Sequence, residues 1–504
     1  MFRLQNFNQR KAGVLLSYID QGVQILTGLI YTPVMLRLLG QNEYGLYQLV
    51  YSVVSYLGLL KLGFNSAYIR YYSRYKEQNN DTEIARLNGM FMTIFSVISL
   101  ICFFCGIMLV ANIDKILGKG LINAEINSAR VLMTFMVINM ILSFITSVFS
   151  CYLAAHEEFI FQKTLNVVQG ILNPFLALPL LLLGYGSIGM VSATTFLTVA
   201  ALICSLYYCF KHLQMHFIFY NFKFILLKEM WVFTFFIFLN QIVDQVNWNV
   251  DKFLLGNMVG TKEVAIYGLG AQINTMYIAF STAISSVFTP EINRIVAKTN
   301  DNEELTELFT RVGRIQFLVL GLILTGYIAF GKVFMIIWGG RDYKRSYYVV
   351  LWLIIPETIA LIQNLGLEIQ RAKNMHKARS VVYVIIAIIN IFVSIRLIRK
   401  WGASGAAMGT AISLIVGNML FMNWYYYKKI QLDIPYFWKE TLKLLPAQLI
   451  CLIVGFIISY FIEITNWGSF CICIALYFLF YITVLWHQGM NTDEKGLIKG
   501  MLKK

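Results

Sequence analysis

The chain has 504 residues, of which 58% are hydrophobic and only 13% charged, with a formal net charge of +15. A soluble domain carries about 25% charge, so this composition excludes an ordinary soluble enzyme or binding module and describes a polytopic membrane protein. The Lys and Arg residues sit between apolar runs, which makes the positive excess a matter of membrane topology rather than of a nucleic-acid partner.

Taken in order, the N-terminus places Arg3, Arg10 and Lys11 before an apolar run, as a secretory signal does. That run is too long, carries Asp20, Gln21 and Gln24, and lacks a small-residue cleavage site, so it reads as a retained first transmembrane helix. About twenty apolar residues cross a bilayer at about 1.5 Å rise each. The apolar windows predict fourteen spans, at 13–38, 44–64, 88–112, 130–154, 162–183, 187–210, 229–257, 264–290, 313–338, 347–370, 379–398, 404–427, 443–463 and 468–487. Connections are short, and none has room for a folded extramembrane domain. Basic connections such as that carrying Arg70, Arg74, Lys76 and Arg86 belong inside, which puts both termini in the cytoplasm.

Arg37 and Lys61 stand near opposite faces of the membrane, where long cationic side chains either snorkel or attract an anion. Cys102 and Cys105 form a C-x-x-C inside an apolar span with no polar partner nearby, so the eight cysteines read as packing residues. Span 7 carries Asn240, Asp244, Asn247 and Asp251, spaced four, three and four apart, which predicts one polar helical face. A face with two carboxylates is costly in lipid and should look into a bundle or a wet cavity. Trp248 lies on the same span, and Lys252 could attract an anion or pair with Asp251. In span 10, Glu357 follows Pro356, whose missing backbone donor often opens a site for an ion or water. Phosphate loops, nucleophile elbows and zinc spacings are absent from the sequence, and no cofactor is expected.

The first half repeats in the second. GQNEYGLY at 40–47 matches GTKEVAIY at 260–267, Asn173 matches Asn390, and GSIG at 186–189 matches GASG at 402–405, all at offsets of 216–220. This predicts a six-helix lobe over 1–210, a second over 211–428, and two further helices with a cytoplasmic tail over 429–504. Six is even, so the repeats run parallel. Spans 1 and 7 then correspond, with Asp20, Gln21 and Gln24 opposite Asn240, Gln241 and Asp244 across an expected central cavity.

Three stretches carry a family resemblance: TPVMLRLLGQNEYGLY at 32–47, VDKFLLGNMVGTKEVAIYGLGAQI at 250–273 and FTPEINRI at 288–295. With the repeat, the chain resembles the polysaccharide biosynthesis transporters, which include the O-antigen and capsule repeat-unit flippases of the multidrug/oligosaccharidyl-lipid/polysaccharide exporter superfamily. The resemblance implies an all-α membrane protein with two six-helix lobes in a V, spans 1, 2, 7 and 8 lining the path. It implies a flippase for undecaprenyl-diphosphate-linked oligosaccharide in the bacterial cytoplasmic membrane, not an enzyme. H+ or Na+ would be the coupling ion, membrane lipid the surroundings, and polysaccharide polymerase machinery a neighbour. Asp20, Gln24, Asp244 and Glu357 would give polar or ion contacts, and Lys61, Arg37 and Lys252 would attract the diphosphate. Relatives often carry an acidic residue near the end of span 2, where this chain has Lys61. The competing readings are a cation-coupled drug exporter or a peptidoglycan-precursor flippase of the same superfamily and, from another class, a membrane polymerase or glycosyltransferase.

Overall fold

The computed structural model describes residues 9–61, 63–118, 120–222, 234–235, 238–239, 241–373, 375 and 377–502. Among them every regular element is helical, as continuous apolar runs without water must be, because a helix satisfies its own backbone hydrogen bonds. Helix α1, Gln9–Ser55, is broken at Gly40, whose φ of 72° lies in the left-handed region that favours glycine. A 3₁₀ turn over Tyr56–Lys61 follows. Then come α2 (Phe64–Glu77), α3 (Asp81–Ala111), α4 (Ile113–Leu117), α5 (Asn123–Ala155), α6 (Phe159–Leu182) and α7 (Gly186–Lys211). Helix α8 is Asp251–Met258, preceded by π-helical turns over Val246–Val250. After it run α9 (Thr261–Lys298), α10 (Asn302–Gly339), α11 (Ser346–Ile362), α12 (Leu365–Ala372) and α13 (Lys377–Leu414, broken at Gly402). The chain ends with α14 (Ile434–Leu442), α15 (Leu445–Phe461), α16 (Trp467–Val484) and α17 (Thr492–Leu502).

Among the described residues nine helices are long and apolar enough to cross a bilayer, ten if α11 and α12, bent by 47°, count as one span. Fourteen were expected. Two of the nine, Leu15–Glu77 and Ala378–Ile430, run through the breaks at Gly40 and Gly402, and part of the expected 229–257 span lies outside the described residues. The bend follows Ile362 rather than Pro356, which α11 carries inside.

The chain divides into two compact units, Met1–Ala265 and Ile266–Lys504. In the first, α5 packs on α3 and α7, and α6 lies along α1. Phe91, Phe95, Phe144 and Phe149 are fully buried there, and Tyr68 donates to Asn88 Oδ1 at 2.6 Å. Helix α8 packs on α1, which places it in this unit. In the second unit α15 and α16 dock on α10 through polar contacts: Gln448 donates to the Phe317 carbonyl (3.0 Å) and Tyr477 to Thr325 Oγ1 (2.7 Å).

The GQNEYGLY stretch has a local role. Glu43 Oε1 accepts from the Ser187 backbone N–H (2.7 Å) and from its hydroxyl (2.9 Å), so a carboxylate from α1 caps the first turn of α7. Ser187 is fully buried, and its N–H has no water to fall back on. Glu43→Ala is expected to lower stability by about 1–2 kcal/mol, with Glu43→Gln keeping part of it, as read by thermal melting of the purified protein.

Candidate functional site

Within the first unit lies a cavity of about 490 Å³. Its walls come from Tyr47, Tyr51 and Ser55 of α1, Lys61 of the 3₁₀ turn, Asn139 and Ser143 of α5, Thr194 of α7, and Gln241, Asp244 and Gln245 of the helical turn before α8. Tyr47 and Tyr51 are four residues apart, so α1 presents both rings on one face. Ser55 Oγ donates to Gln245 Oε1 at 3.1 Å, and Asn249 Nδ2 reaches the same oxygen at 2.7 Å, which ties the 241–250 segment to α1.

The cavity's polar groups are incompletely satisfied. Asn139 Oδ1 and Gln241 Oε1 are buried without a hydrogen-bond partner among the described residues. Lys61 is half-buried, with its Nζ 5.8 Å from the Phe144 ring centre. Among the described residues it forms no hydrogen bond or ion pair. A cation next to apolar helices without a counter-charge is costly. Asp244 lines the same cavity and is exposed to it.

The other sequence candidates part company with this site. Asp20 is 6% exposed, accepts from Gln24 Nε2 at 3.0 Å, and stands 3.8 Å from Lys163 Nζ, a local polar cluster between α1 and α6. Arg37 is exposed and lines no part of the cavity. Asn240 lies outside the described residues. Asn247 and Trp248 are half-buried and Asp251 is 1% exposed, and none of the three lines the cavity. Of the four residues expected on one face of span 7, Asp244 is the one among the described residues that lines the cavity, and Val246–Val250 after it winds in i→i+5 turns that change the helical register. Lys252 donates to Gln48 Oε1 at 3.0 Å and rests 5.9 Å from the Tyr51 ring centre; it is satisfied by α1.

Glu357 belongs to the second unit. It is 8% exposed, and its Oε2 has no hydrogen-bond partner among the described residues, while its neighbour Thr358 shares a 2.7 Å bond with Tyr277. Counting back 218 positions, within the range of the internal repeat, leads to Asn139, the orphaned amide of the first-unit cavity. That offset is the one signal that could have singled out Asn139 from the sequence. Tyr47, Tyr51, Ser143, Thr194 and Gln245 carried no such mark. Among the described residues no three His, Cys, Asp or Glu side chains are grouped to hold a metal ion. A second cavity of about 440 Å³ adjoins Arg314 in the second unit, and its Glu304, Glu307 and Asp493 are exposed carboxylates on a solvated face.

The family described as "Polysaccharide biosynthesis protein" matches residues 11–296. A "Putative O-antigen transporter" of Shigella flexneri is 20% identical over 399 residues, covering 77% of this chain and 91% of that protein. Among solved structures, "Lipid II flippase MurJ, inward closed conformation" superposes with a TM-score of 0.72 at 15% identity, over 94% of this chain and 97% of that one. An inward-facing multidrug resistance MATE family transporter of the MOP superfamily gives 0.63 at 14% identity, over 83% and 96%. At such identities the structural likeness shows the fold: the helical membrane-transporter fold of those proteins.

Proposed function

Because this chain belongs to the polysaccharide biosynthesis protein family, we propose that it moves a lipid-linked oligosaccharide, on undecaprenyl diphosphate, across the bacterial cytoplasmic membrane. The observation that carries the reading is the first-unit cavity, lined by Lys61, which has no ion pair among the described residues, and by Asn139 and Gln241, each with a buried amide oxygen that has no hydrogen-bond partner among them. A glycan head group has many hydroxyls, each costly to bury unpaired, so it needs a polar route through lipid. The cavity's amides, hydroxyls and aromatic faces provide one, while the lipid tail needs no route and stays in the membrane.

In this reading both termini are cytoplasmic, following the bias of the basic connections, and the cavity opens alternately to the two sides. An inside-negative potential favours outward passage of an anionic head group by about 2.3 kcal/mol per charge per 100 mV. The buried Glu357 Oε2, which has no hydrogen-bond partner among the described residues, supports a role for a proton or Na+ in the cycle. The relation to polymerase machinery follows from the reaction order, since a polymer is built from repeat units only after they have crossed.

Surface glycan in cells that depend on this protein tests the reading. Gly58 lines the cavity, and a Cβ there would meet nothing closer than Met140 Cε at 3.7 Å, so Gly58→Trp fills the cavity without a backbone clash. It is expected to cut surface glycan at least about tenfold, the effect of about 1.4 kcal/mol at a rate-limiting step, at normal protein levels. Asp244→Asn and Glu357→Gln are expected to lower it as well. Normal display with the cavity plugged would reject this cavity as the route. Normal display in cells lacking the protein would reject glycan transport.

A further inference from the structure

We propose that Lys495 and Lys499 of α17, together with Trp486, hold the phosphate of an anionic phospholipid. The inference needs only that the chain crosses a bilayer, and it is independent of the transport reading. Trp486 lies in π-helical turns over Leu485–Gly489 that continue α16, and Trp467–Gly489 as a whole is apolar and long enough to cross a membrane. A tryptophan at the end of a span belongs at headgroup depth, with its ring against the apolar core. This one is half-buried, and two ammonium groups converge on it. Lys495 Nζ stands 6.0 Å from the ring centre and Lys499 Nζ 5.8 Å.

Among the described residues neither ammonium has an ion pair or a hydrogen bond. The two lysines are four apart on α17, where like charges repel. The positions one turn away bring no carboxylate: Asn491 precedes Lys495, and Lys503 follows Lys499 in the sequence. Glu494, next to Lys495, is committed to Arg314 at 2.6 Å and to the Asn491 N–H at 2.9 Å, which holds the start of α17 in place. The helix dipole favours a cation in the last turn and accounts for Lys499, but it fades within that turn and does not reach Lys495. A phosphodiester at headgroup depth supplies the counter-charge. Its two non-bridging oxygens accept one from each ammonium, which offsets their repulsion. A zwitterionic headgroup brings its own cation, which the two lysines repel.

Native mass spectrometry of the full-length protein, titrated in detergent with phosphatidylglycerol or phosphatidylcholine at constant ionic strength, reads the tightest bound lipid. The wild type is expected to prefer phosphatidylglycerol. Lys495→Gln and Lys499→Gln are each expected to weaken that binding about fivefold and the double variant about thirtyfold, from the worth of a lysine at an anionic surface. Lys495→Arg/Lys499→Arg keeps both charges and is expected to keep the lipid, which separates charge from any change in folding. Lys428→Gln/Lys429→Gln removes two exposed charges from another helix end of the same unit and is expected to leave binding unchanged. Glycerol 3-phosphate, a phosphate without acyl chains, is expected to leave the lipid in place. Four results would each overturn the proposal. They are equal binding of the two lipids by the wild type, unchanged affinity in the double glutamine variant, an equal loss in the Lys428/Lys429 control, and displacement by glycerol 3-phosphate, which would mark a site for free phosphate instead.

Discussion

Replacement of Arg314 by methionine is expected to destabilise the second unit by about 3–5 kcal/mol, because it strands a buried carboxylate. Arg314 in α10 is 3% exposed, and its Nε donates to Glu494 Oε1 at 2.6 Å while Nη2 reaches Glu494 Oε2 at 3.1 Å and the Gly489 carbonyl at 3.2 Å. Its remaining nitrogen donates to the Glu440 carbonyl. One guanidinium thus ties together α10, the end of α14, the turn after α16 and the start of α17. Glu494 also begins α17: its Oε2 accepts from the Asn491 N–H at 2.9 Å, and Asn491 Oδ1 accepts from the Glu494 N–H at the same distance. Glu494 is 3% exposed, so without Arg314 its charge keeps the Asn491 N–H but loses its only counter-charge among the described residues.

The double variant Arg314→Met/Glu494→Met removes both charges and is expected to recover most of the loss, since two apolar side chains of similar length pack where the pair stood. Thermal melting of the purified variants reads the difference. Equal melting of the single and double variants would mean that the carbonyl contacts, rather than the stranded charge, carry the effect.

Gly45→Ala is expected to cost about 3 kcal/mol, at the upper end of ordinary overpacking. A Cβ on Gly45 would stand 1.9 Å from the Thr261 carbonyl oxygen, a backbone atom that no rotamer change can move. Thr261 cannot retreat easily, because its hydroxyl donates to Glu125 Oε1 at 3.0 Å and Glu125 in turn caps α5 by accepting from the Ile122 N–H at 3.1 Å. On the other side a Cβ on Gly120 would stand 1.9 Å from the Gly256 carbonyl oxygen. The chain from 256 to 261 is therefore clasped between two glycines. Gly22→Ala on the same helix α1 is the control. A Cβ there meets nothing within 4 Å, so the exchange is expected to gain up to about 1 kcal/mol from helix propensity. Loss at both positions in a melting experiment would point to a general intolerance of α1 rather than to the close approach at Gly45.

These contacts explain why the stretches that carried the family resemblance were recognisable. Gly45 and Glu43 lie in GQNEYGLY, and Gly256 and Thr261 lie in LLGNMVGTKE. A carbonyl packed against a glycine and a carboxylate capping a distant helix tolerate few other residues, so they leave a readable pattern. The family match over residues 11–296 agrees with that resemblance. Lys61 and Asp244 were legible as candidates for a simpler reason: charge inside an apolar run is rare and costly.

By itself the sequence determined that this is a helical, multi-pass membrane protein, where its apolar runs lie, and which family it belongs to. Those properties depend on composition and local period, which do not change with what packs against what. Only the tertiary structure decided which charged and polar residues share a cavity. Asp20 found Gln24 and Lys163, and Lys252 found Gln48. Asp244 came to line the cavity while Asp251, beyond the π-helical turns at Val246–Val250, did not. Asn139, on a helix more than a hundred residues earlier in the chain, came to line the cavity beside Gln241. The physical reason is that a buried polar group is defined by its partner. The spacing of residues along one helix shows which face such a group occupies, while the neighbouring helices decide whether its hydrogen bonds are met there or left open for a ligand.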